Sequence, residues 1–399
     1  MMSMKCLTAE SVCIGHPDKL CDQIADSILD AYLRKDASAH VAIEVMATGH
    51  RIFISGEVSS AAKISKSGIR KIAWDVLENA GLPAWKYLVS VYVHKQSADI
   101  EGGVNFSIES RNGDTTWYST IGAGDQGTVY GYSCDENFSH IPMPLYYAHS
   151  ICERLDKCRK DGIIHGICSD GKAQVTLEYE NDVPKRVKAI VVSIQHKPDV
   201  SQEQLKSEII SNVLWPVFEK FPFDDETDIL INPSGRFVKG GAEADTGVTG
   251  RKLMVDTYGG LARQGGGALS GKDPTKVDRS GAYMARWIAN HVIWCGYAKR
   301  CEVSISYAIG KADPVGFEID TFGTGKVSEE ILKKAVLDVF CLRPAAIIEQ
   351  LCLRNAGYAD TAVYGHFGRG LRTWDSFVCS KDKEFRKAVE EYVSEENND

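Results

Sequence analysis

Asp22–Ala80, DQIADSILDAYLRKDASAHVAIEVMATGHRIFISGEVSSAAKISKSGIRKIAWDVLENA, carries one full round of the pattern that decides the fold. From Asp22 to Lys35, Ile24, Ile28, Ala31 and Tyr32 recur on one stripe at helical spacing. His40 to Met46 and Arg51 to Val58 then alternate apolar with polar residues, the period of half-buried strands, around the turn-prone Thr48-Gly49. Lys63 to Ala80 returns to helical spacing, so the stretch predicts helix, hairpin, helix.

Working outward, the same order returns as Pro144 to Lys160, then Ala173 to Tyr179 and Arg186 to Gln195 around Asn181-Asp182, then Gln202 to Lys220. It comes a third time as Asp278 to Lys299, Glu302 to Ile309, Gly316 to Phe322 and Glu329 to Leu351. Short strands, Val89 to His94 and Asp228 to Ile231, come after the first two rounds. A period above roughly 100 residues exceeds that of a solenoid. The expectation is therefore an α/β (α+β) protein of three similar units, each with helices covering one face of a small sheet. Gly/Asp/Pro/Ser-rich segments near Gly113 and Asn232 place the domains at 1–112, 113–231 and 232–399.

The 399 residues are 44% hydrophobic and 25% charged, an ordinary globular composition able to bury a sizeable core. A formal net charge of −8 argues against a nucleic-acid partner, which calls for a broad basic surface. The 12 cysteines are scattered and none forms a C-x-x-C pair, a usage that fits reduced thiols. The start of the chain has no apolar segment of signal-peptide length, and no run approaches the roughly 20 apolar residues that span a bilayer. A cytoplasmic protein with no membrane partner is expected.

Local chemistry stands out against this acidic background. Gly265-Gly266-Gly267-Ala268-Leu269-Ser270-Gly271-Lys272-Asp273 satisfies G-x-x-x-x-G-K but sets Asp273 where a P-loop needs the Ser or Thr that holds magnesium. A glycine-rich anion cradle is the better reading, because Arg251, Lys252, Arg263, Lys272 and Lys276 crowd into the same short span. Gly122-Ala123-Gly124-Asp125-Gln126-Gly127 matches G-x-G-x-x-G. Directly after it, Thr128 to Tyr132 alternates like a strand and opens no helix, so a tight loop replaces the Rossmann reading. His16-Pro17-Asp18-Lys19 sets an imidazole, a carboxylate and an ammonium at a helix entry, where capping alone also favours Asp and Pro. Glycine-flanked charges of both signs, in Asp170-Gly171-Lys172, Gly235-Arg236-Phe237 and Gly250-Arg251-Lys252, fit a site where carboxylates hold Mg²⁺ and cations neutralise phosphate oxygens.

In this order and spacing, Gly15 to Lys19 with Cys21-Asp22-Gln23, Gly122 to Gly127 and Gly265 to Asp273 resemble the S-adenosylmethionine synthetase (methionine adenosyltransferase) family. Lys95 to Asp99, Ile231 to Phe237, Thr249 to Lys252 and Tyr364 to Arg369 extend the resemblance over nearly the whole chain. It implies three similar α/β domains about a pseudo-threefold axis, and a homodimer or homotetramer with active sites between subunits. ATP would be contacted by His16, Asp170, Lys172, Arg236, Phe237, Asp245, Arg251, Lys252, Ala268 and Lys272. L-Methionine would meet Glu57, Gln96, Asp125, Asp245 and Lys276. Asp18 and Asp278 would hold magnesium, two ions per site, and Glu44 a potassium ion. His16, Lys172, Arg251 and Lys272 would carry the catalysis, and Ser97 to Ile121 would form a mobile loop over the site.

The residue types suit that chemistry. A thioether sulfur needs no general base, so the protein's task is alignment with C5′ of ATP and stabilisation of a departing polyphosphate. Histidine at the breaking bond, with lysines, arginines and magnesium along the phosphates, does this. The retained triphosphate would then be hydrolysed to pyrophosphate and phosphate. Some positions depart from the family pattern: Gln264 for a histidine, Leu269 for a phenylalanine, Ala242-Glu243-Ala244 for a Pro/Gly turn, and a path after Glu44 one residue short and lacking a lysine. They mark a divergent member. Two rivals make other predictions: a P-loop-like phosphotransferase would yield ADP or AMP, and a binding module on the same fold would turn nothing over.

Overall fold

The computed structural model describes residues 4–96, 106–355, 357–370, 372–377 and 380–396. Its strands are β1 (Met4–Val12), β2 (His40–Thr48), β3 (Arg51–Ser59), β4 (Leu88–His94), β5 (Gly127–Cys134), β6 (Ile167–Glu180), β7 (Val183–His196), β8 (Asp228–Ile231), β9 (Gly247–Val248), β10 (Arg300–Tyr307) and β11 (Gly316–Asp320). Its main helices are α1 (Pro17–Leu33), α2 (Lys66–Asn79), α3 (Met143–Lys160), α4 (Gln202–Ile209), α5 (Val277–Trp294), α6 (Glu329–Val339), α7 (Pro344–Gln350) and α8 (Asp382–Glu396).

Each round of the sequence pattern becomes a hairpin backed by helices. β2 pairs with β3 from Thr48↔Arg51 to His40↔Ser59, and its inward Val41, Ile43, Val45 and Ala47 are buried, as strict alternation requires. β6 and β7 meet through Asn181 and Asp182, both in the left-handed region at φ 50° and 65°, the geometry of a type I′ hairpin turn. α2 starts at Ser65, whose hydroxyl accepts the Gly68 amide. α5 is the most buried helix of the third round, and only Asp278 and Trp294 along it are not fully buried.

The sheets do not follow chain order. Their strand orders are β1-β6-β7-β8, β11-β10-β5 and β4-β3-β2-β9. The first strand of the chain completes the sheet of the second round, β5 completes that of the third, and β9 returns to complete that of the first. This cyclic exchange gives physical form to the expected threefold relation. One core cluster runs through the first and third sheets and a second fills the middle one.

Three expectations need correction. The helix expected from Glu329 to Leu351 is two, α6 and α7, because Pro344 has no amide to donate and drives Arg343 to ψ 138°. Gln202 to Lys220 is α-helical only as far as Ile209, passes through a π-helical turn at Ile210–Leu214, and ends at Trp215–Val217. β1 and the two-residue β9 were not anticipated. Of the expected loop Ser97 to Ile121, residues 97–105 lie outside the described residues. The rest is anchored through buried Ser107, which caps Ile108–Arg111 and hydrogen-bonds the Ser119 carbonyl.

Candidate active site

The site is built outward from the start of α1. His16 is the N-cap, with Pro17 at the first helical position, and its Nδ1 accepts the Asp18 amide at 3.2 Å. A neutral imidazole that accepts at Nδ1 carries its proton on Nε2. Burial, reinforced by the Lys252 ammonium and more weakly by Lys172, pushes the His16 pKa down to about 3, and the Asp18 carboxylate opposes this. His16 is therefore a neutral hydrogen-bond donor at neutral pH.

Beside it opens a cleft of about 330 Å³ whose lining includes His16, Asp170, Lys172, Ser193, Phe237 and Asp245. The loop Cys13–His16 is tied to the start of β6 by Cys13 N to Gly171 O and Gly15 N to Ser169 O, both 2.9 Å. That tie brings Asp170 and Lys172 to the histidine. Asp170 accepts the Gly241 amide at 2.7 Å, and burial raises its carboxyl pKa. Lys172 projects half-exposed, 3.8 Å from Glu10. Phe237 is fixed by two bonds to His196: its carbonyl accepts the His196 amide at 2.9 Å and its amide donates to His196 Nε2 at 3.2 Å. Asp245 lines the cleft and is exposed, and Arg236 is exposed next to Phe237 in the chain.

Two cation–carboxylate pairs flank this cleft and the glycine-rich loop. Asp18 meets Lys252 at 2.7 Å and Arg251 at 3.7 Å and accepts the Val248 amide at 3.0 Å. Burial works against its charge, but the Lys252 and Val248 bonds prevail and hold its carboxyl below the usual range. In the other pair Lys272 lies 2.5 Å from Asp278 on the first turn of α5. Gly267 packs against that carboxylate so closely that a Cβ there would lie 2.2 Å from it. Glu44, exposed on β2, has its carboxyl raised by partial burial and lowered by Lys272. Ala268 lies against Gly250 at 2.4 Å from where a Cβ would project.

Asp273 settles the P-loop question. It is fully buried, accepts the Val41 amide at 2.8 Å and the Thr275 amide at 2.9 Å, and pairs with Lys276. A carboxylate so engaged stitches the loop to β2 and has no magnesium-binding geometry to offer. The G-x-G-x-x-G segment is likewise a tight loop: Ala123 exchanges backbone bonds of 2.8 Å with Gly310 and Lys311, and Gly122 abuts the Gly310 backbone.

Other expected ligands stand apart from the cleft. Glu57 faces His94 across β3 and β4 at 3.5 Å. Gln96, just past β4, buries an Oε1 that has no hydrogen-bond partner among the described residues. Asp125 lies in the tight loop, and its carboxylate accepts the neighbouring Gln126 amide at 2.8 Å.

What sequence reasoning missed lies inside α1, beyond Asp18. Asp18, Asp22, Asp26 and Asp30 are all buried on one face, and Lys19 is sealed between Asp22 and Asp256. Burial raises Asp256 to about 7 although Lys19 opposes it. Asp26 holds Arg279 of α5 in a two-pronged bond of 2.7 and 2.9 Å. The signal was present as carboxylates every four residues on a helix whose apolar stripe drew the attention.

Three strand-exchanging sheets, with a cleft beside α1 and β6 lined by His16, Lys172, Asp170 and Asp245, define a three-domain α/β protein. Models of the N-terminal, central and C-terminal domains of S-adenosylmethionine synthetase match residues 4–98, 120–237 and 239–376 in turn. The chain belongs to the S-adenosylmethionine synthetase family. It is 47% identical to the S-adenosylmethionine synthase of Desulforudis audaxviator, with 92% of this chain and 94% of the relative aligned. The Clostridium botulinum enzyme of that name is 47% identical over 91% and 94%, and that of Finegoldia magna 46% over 96% and 98%.

Proposed function

We propose that this chain makes S-adenosylmethionine from ATP and L-methionine, the sulfur attacking C5′ while the triphosphate leaves and is then cut to pyrophosphate and phosphate. The observation that carries this reading is His16. It is a buried neutral imidazole whose remaining proton, on Nε2, is free to be donated in a cleft shared with Asp170, Lys172 and Phe237. A donor with a depressed pKa stabilises negative charge growing on a leaving oxygen. Arg251, Lys252 and Lys272 would take the phosphates by exchanging their carboxylate partners for phosphate oxygens.

Metal dependence is general in the family. Among the described residues no three His, Cys, Asp or Glu side chains gather as a metal cage. The donors fit Mg²⁺ shared with substrate, since that ion is held by one or two carboxylates plus phosphate oxygens. Asp18 and Asp278 would be those carboxylates, and bound Mg²⁺ would neutralise phosphate charge. Glu44 would offer one carboxylate to potassium.

Methionine would be met by Glu57, Gln96, Asp125, Asp245 and Lys276. The unpaired Gln96 Oε1 is an acceptor suited to an ammonium group. Because Glu57, Gln96 and Asp125 do not line the cleft, we place the complete site between two copies of the chain. The face of β2, β3 and β4 on which Glu44, Met46 and Tyr92 are exposed is a surface such a homodimer or homotetramer would cover. No helix among the described residues is long and apolar enough to cross a membrane, and the described cysteines are free thiols. Both support a cytoplasmic location.

Incubation with ATP, L-methionine, Mg²⁺ and K⁺, followed by mass spectrometry and phosphate chromatography, tests the reading. S-adenosylmethionine with equal pyrophosphate and phosphate is the expected result. ADP or AMP without S-adenosylmethionine would overturn it.

A further inference from the structure

The four buried aspartates of α1 form a ladder, and its rungs are occupied by backbone amides of the third domain. Residues four apart on a helix share a face and rise about 6 Å per step. Asp18 accepts Val248 N at 3.0 Å, Asp22 accepts Gly250 N at 2.8 Å, Asp26 accepts Gly271 N at 2.8 Å, and Asp30 accepts Tyr358 N at 2.8 Å and Ala359 N at 3.1 Å. The two middle rungs share a feature. Gly250 immediately precedes Arg251-Lys252, and Gly271 immediately precedes Lys272. Both glycines are left-handed, at φ 76° and 81°, and both are hemmed in: a Cβ on Gly250 would meet Ala268 at 2.4 Å, and one on Gly271 would meet the Ile43 carbonyl at 2.1 Å.

We propose that Asp22 and Asp26 are positioning residues for the triphosphate: by holding the Gly250 and Gly271 amides one helical step apart, they set the spacing between Arg251-Lys252 and Lys272. This rests on the assignment of those cations to the phosphates. The cations are long side chains on glycine-rich loops that β2 also holds, through Thr249 on one side and Gly271 and Asp273 on the other, and α1 ties the residue just before each cation group. That helix is nearly all buried. Neither aspartate lines the cleft. Each is fully buried and already engaged, Asp22 by Lys19 at 2.9 Å and Asp26 by Arg279. A buried carboxylate accepting an amide makes a charge-assisted bond, stronger than a neutral one and costly to leave unmade.

Asp22 is the testable rung, because its removal leaves Lys19 paired with Asp256, whereas removal of Asp26 would strand a buried arginine. The probe is inorganic tripolyphosphate with Mg²⁺, titrated calorimetrically into the purified protein, alongside KM for each substrate. Asp22→Ala should weaken tripolyphosphate binding about tenfold and raise KM for ATP, while KM for methionine holds. Asp22→Asn keeps an acceptor for Gly250 N and should recover most of that loss. Asp30→Ala removes a rung that leads to no phosphate cation and should lower the melting temperature without changing tripolyphosphate affinity. Equal losses of affinity in Asp22→Ala and Asp30→Ala would reduce the ladder to a structural role. Full affinity in Asp22→Ala together with weakened binding in Lys252→Ala would overturn the proposal and leave the phosphate site standing. Full affinity in Lys252→Ala would instead remove the site assignment beneath it.

Discussion

At the scale of single residues, protonation decides what His16 and its buried counterparts do. Because Nδ1 of His16 is occupied by the Asp18 amide, Nε2–H is the group left to donate in the proposed mechanism. His16→Ala should leave ATP binding within about threefold while slowing S-adenosylmethionine formation by about 10²-fold or more, as loss of one preorganised donor does. Undiminished turnover in a single-turnover assay would refute that role. Asp278→Asn should raise the Mg²⁺ concentration needed for half-maximal rate, and an unchanged magnesium titration would count against ligation. His149 gives a stability prediction. It is buried, its Nδ1 meets Ser11 Oγ at 2.8 Å, and burial, with a smaller push from Arg369 and Lys19, lowers its pKa from 6.5 to about 3. The unfolded chain then binds the extra proton between those values, so this residue costs stability as pH falls below 6.5, by about 1.4 kcal/mol per pH unit. His149→Gln should flatten the stability profile between pH 6 and 5 by roughly that slope, measured by denaturant titration. Glycine and proline punctuate the segments of His16, Asp170, Lys172 and Asp245, but it was the ordered resemblance that grouped these residues, and the structure brings them to one cleft. Asp22 and Asp26 were not, because an aspartate on a helix reads as solvated until the loops that bury it are known.

Secondary elements carry the site through two glycine loops, and here adjacent glycines have opposite tolerances. A Cβ on Gly266 meets nothing within 4 Å, whereas one on Gly267 would lie 2.2 Å from the Asp278 carboxylate. Neither needs a left-handed backbone. Gly267→Ala should therefore displace Asp278 and raise the Mg²⁺ requirement several-fold without loss of secondary structure. Gly266→Ala should match the parent protein in magnesium titration and circular dichroism. Identical magnesium curves for the two variants would show that the loop does not position Asp278. Elements with strong internal periodicity, α1, α2, α5 and the two long hairpins, were readable from sequence alone, since burial of one face writes the pattern. β9 spans two residues and has no period, and β1 lies far in sequence from the β6 partner that makes it a strand. The break between α6 and α7 was visible in Pro344, but the apolar run on both sides outweighed it.

Across the whole molecule, the cyclic exchange of strands makes the three units interdependent. β1 pairs with β6 over nine consecutive positions, from Met4↔Glu180 to Val12↔Lys172, and so completes a sheet whose other strands come from 167–231. β5 leaves that unit to pair with β10 from Arg300↔Cys134 to Tyr307↔Gly127. A fragment of 113–231 alone would thus expose two unpaired edges, one along β6 and one along β5, and edges of that length template aggregation. Such a fragment should be aggregated or protease-sensitive. Fusing Met4–Val12 ahead of it through a flexible linker should restore the β6 edge and raise protease resistance, while β5 stays labile. The exchange also ties function to folding, because His16 comes four residues after the end of β1 and reaches Asp170 only through the Cys13–Gly171 and Gly15–Ser169 bonds. Deleting Met4–Val12 from the full chain should therefore abolish S-adenosylmethionine formation even if the first and third sheets persist. A fragment of 113–231 that folds unaided to a sharp, cooperative transition would show that the exchanged strands decorate three autonomous domains; failure without β1 and rescue with it would show that the middle domain is completed from outside its own sequence.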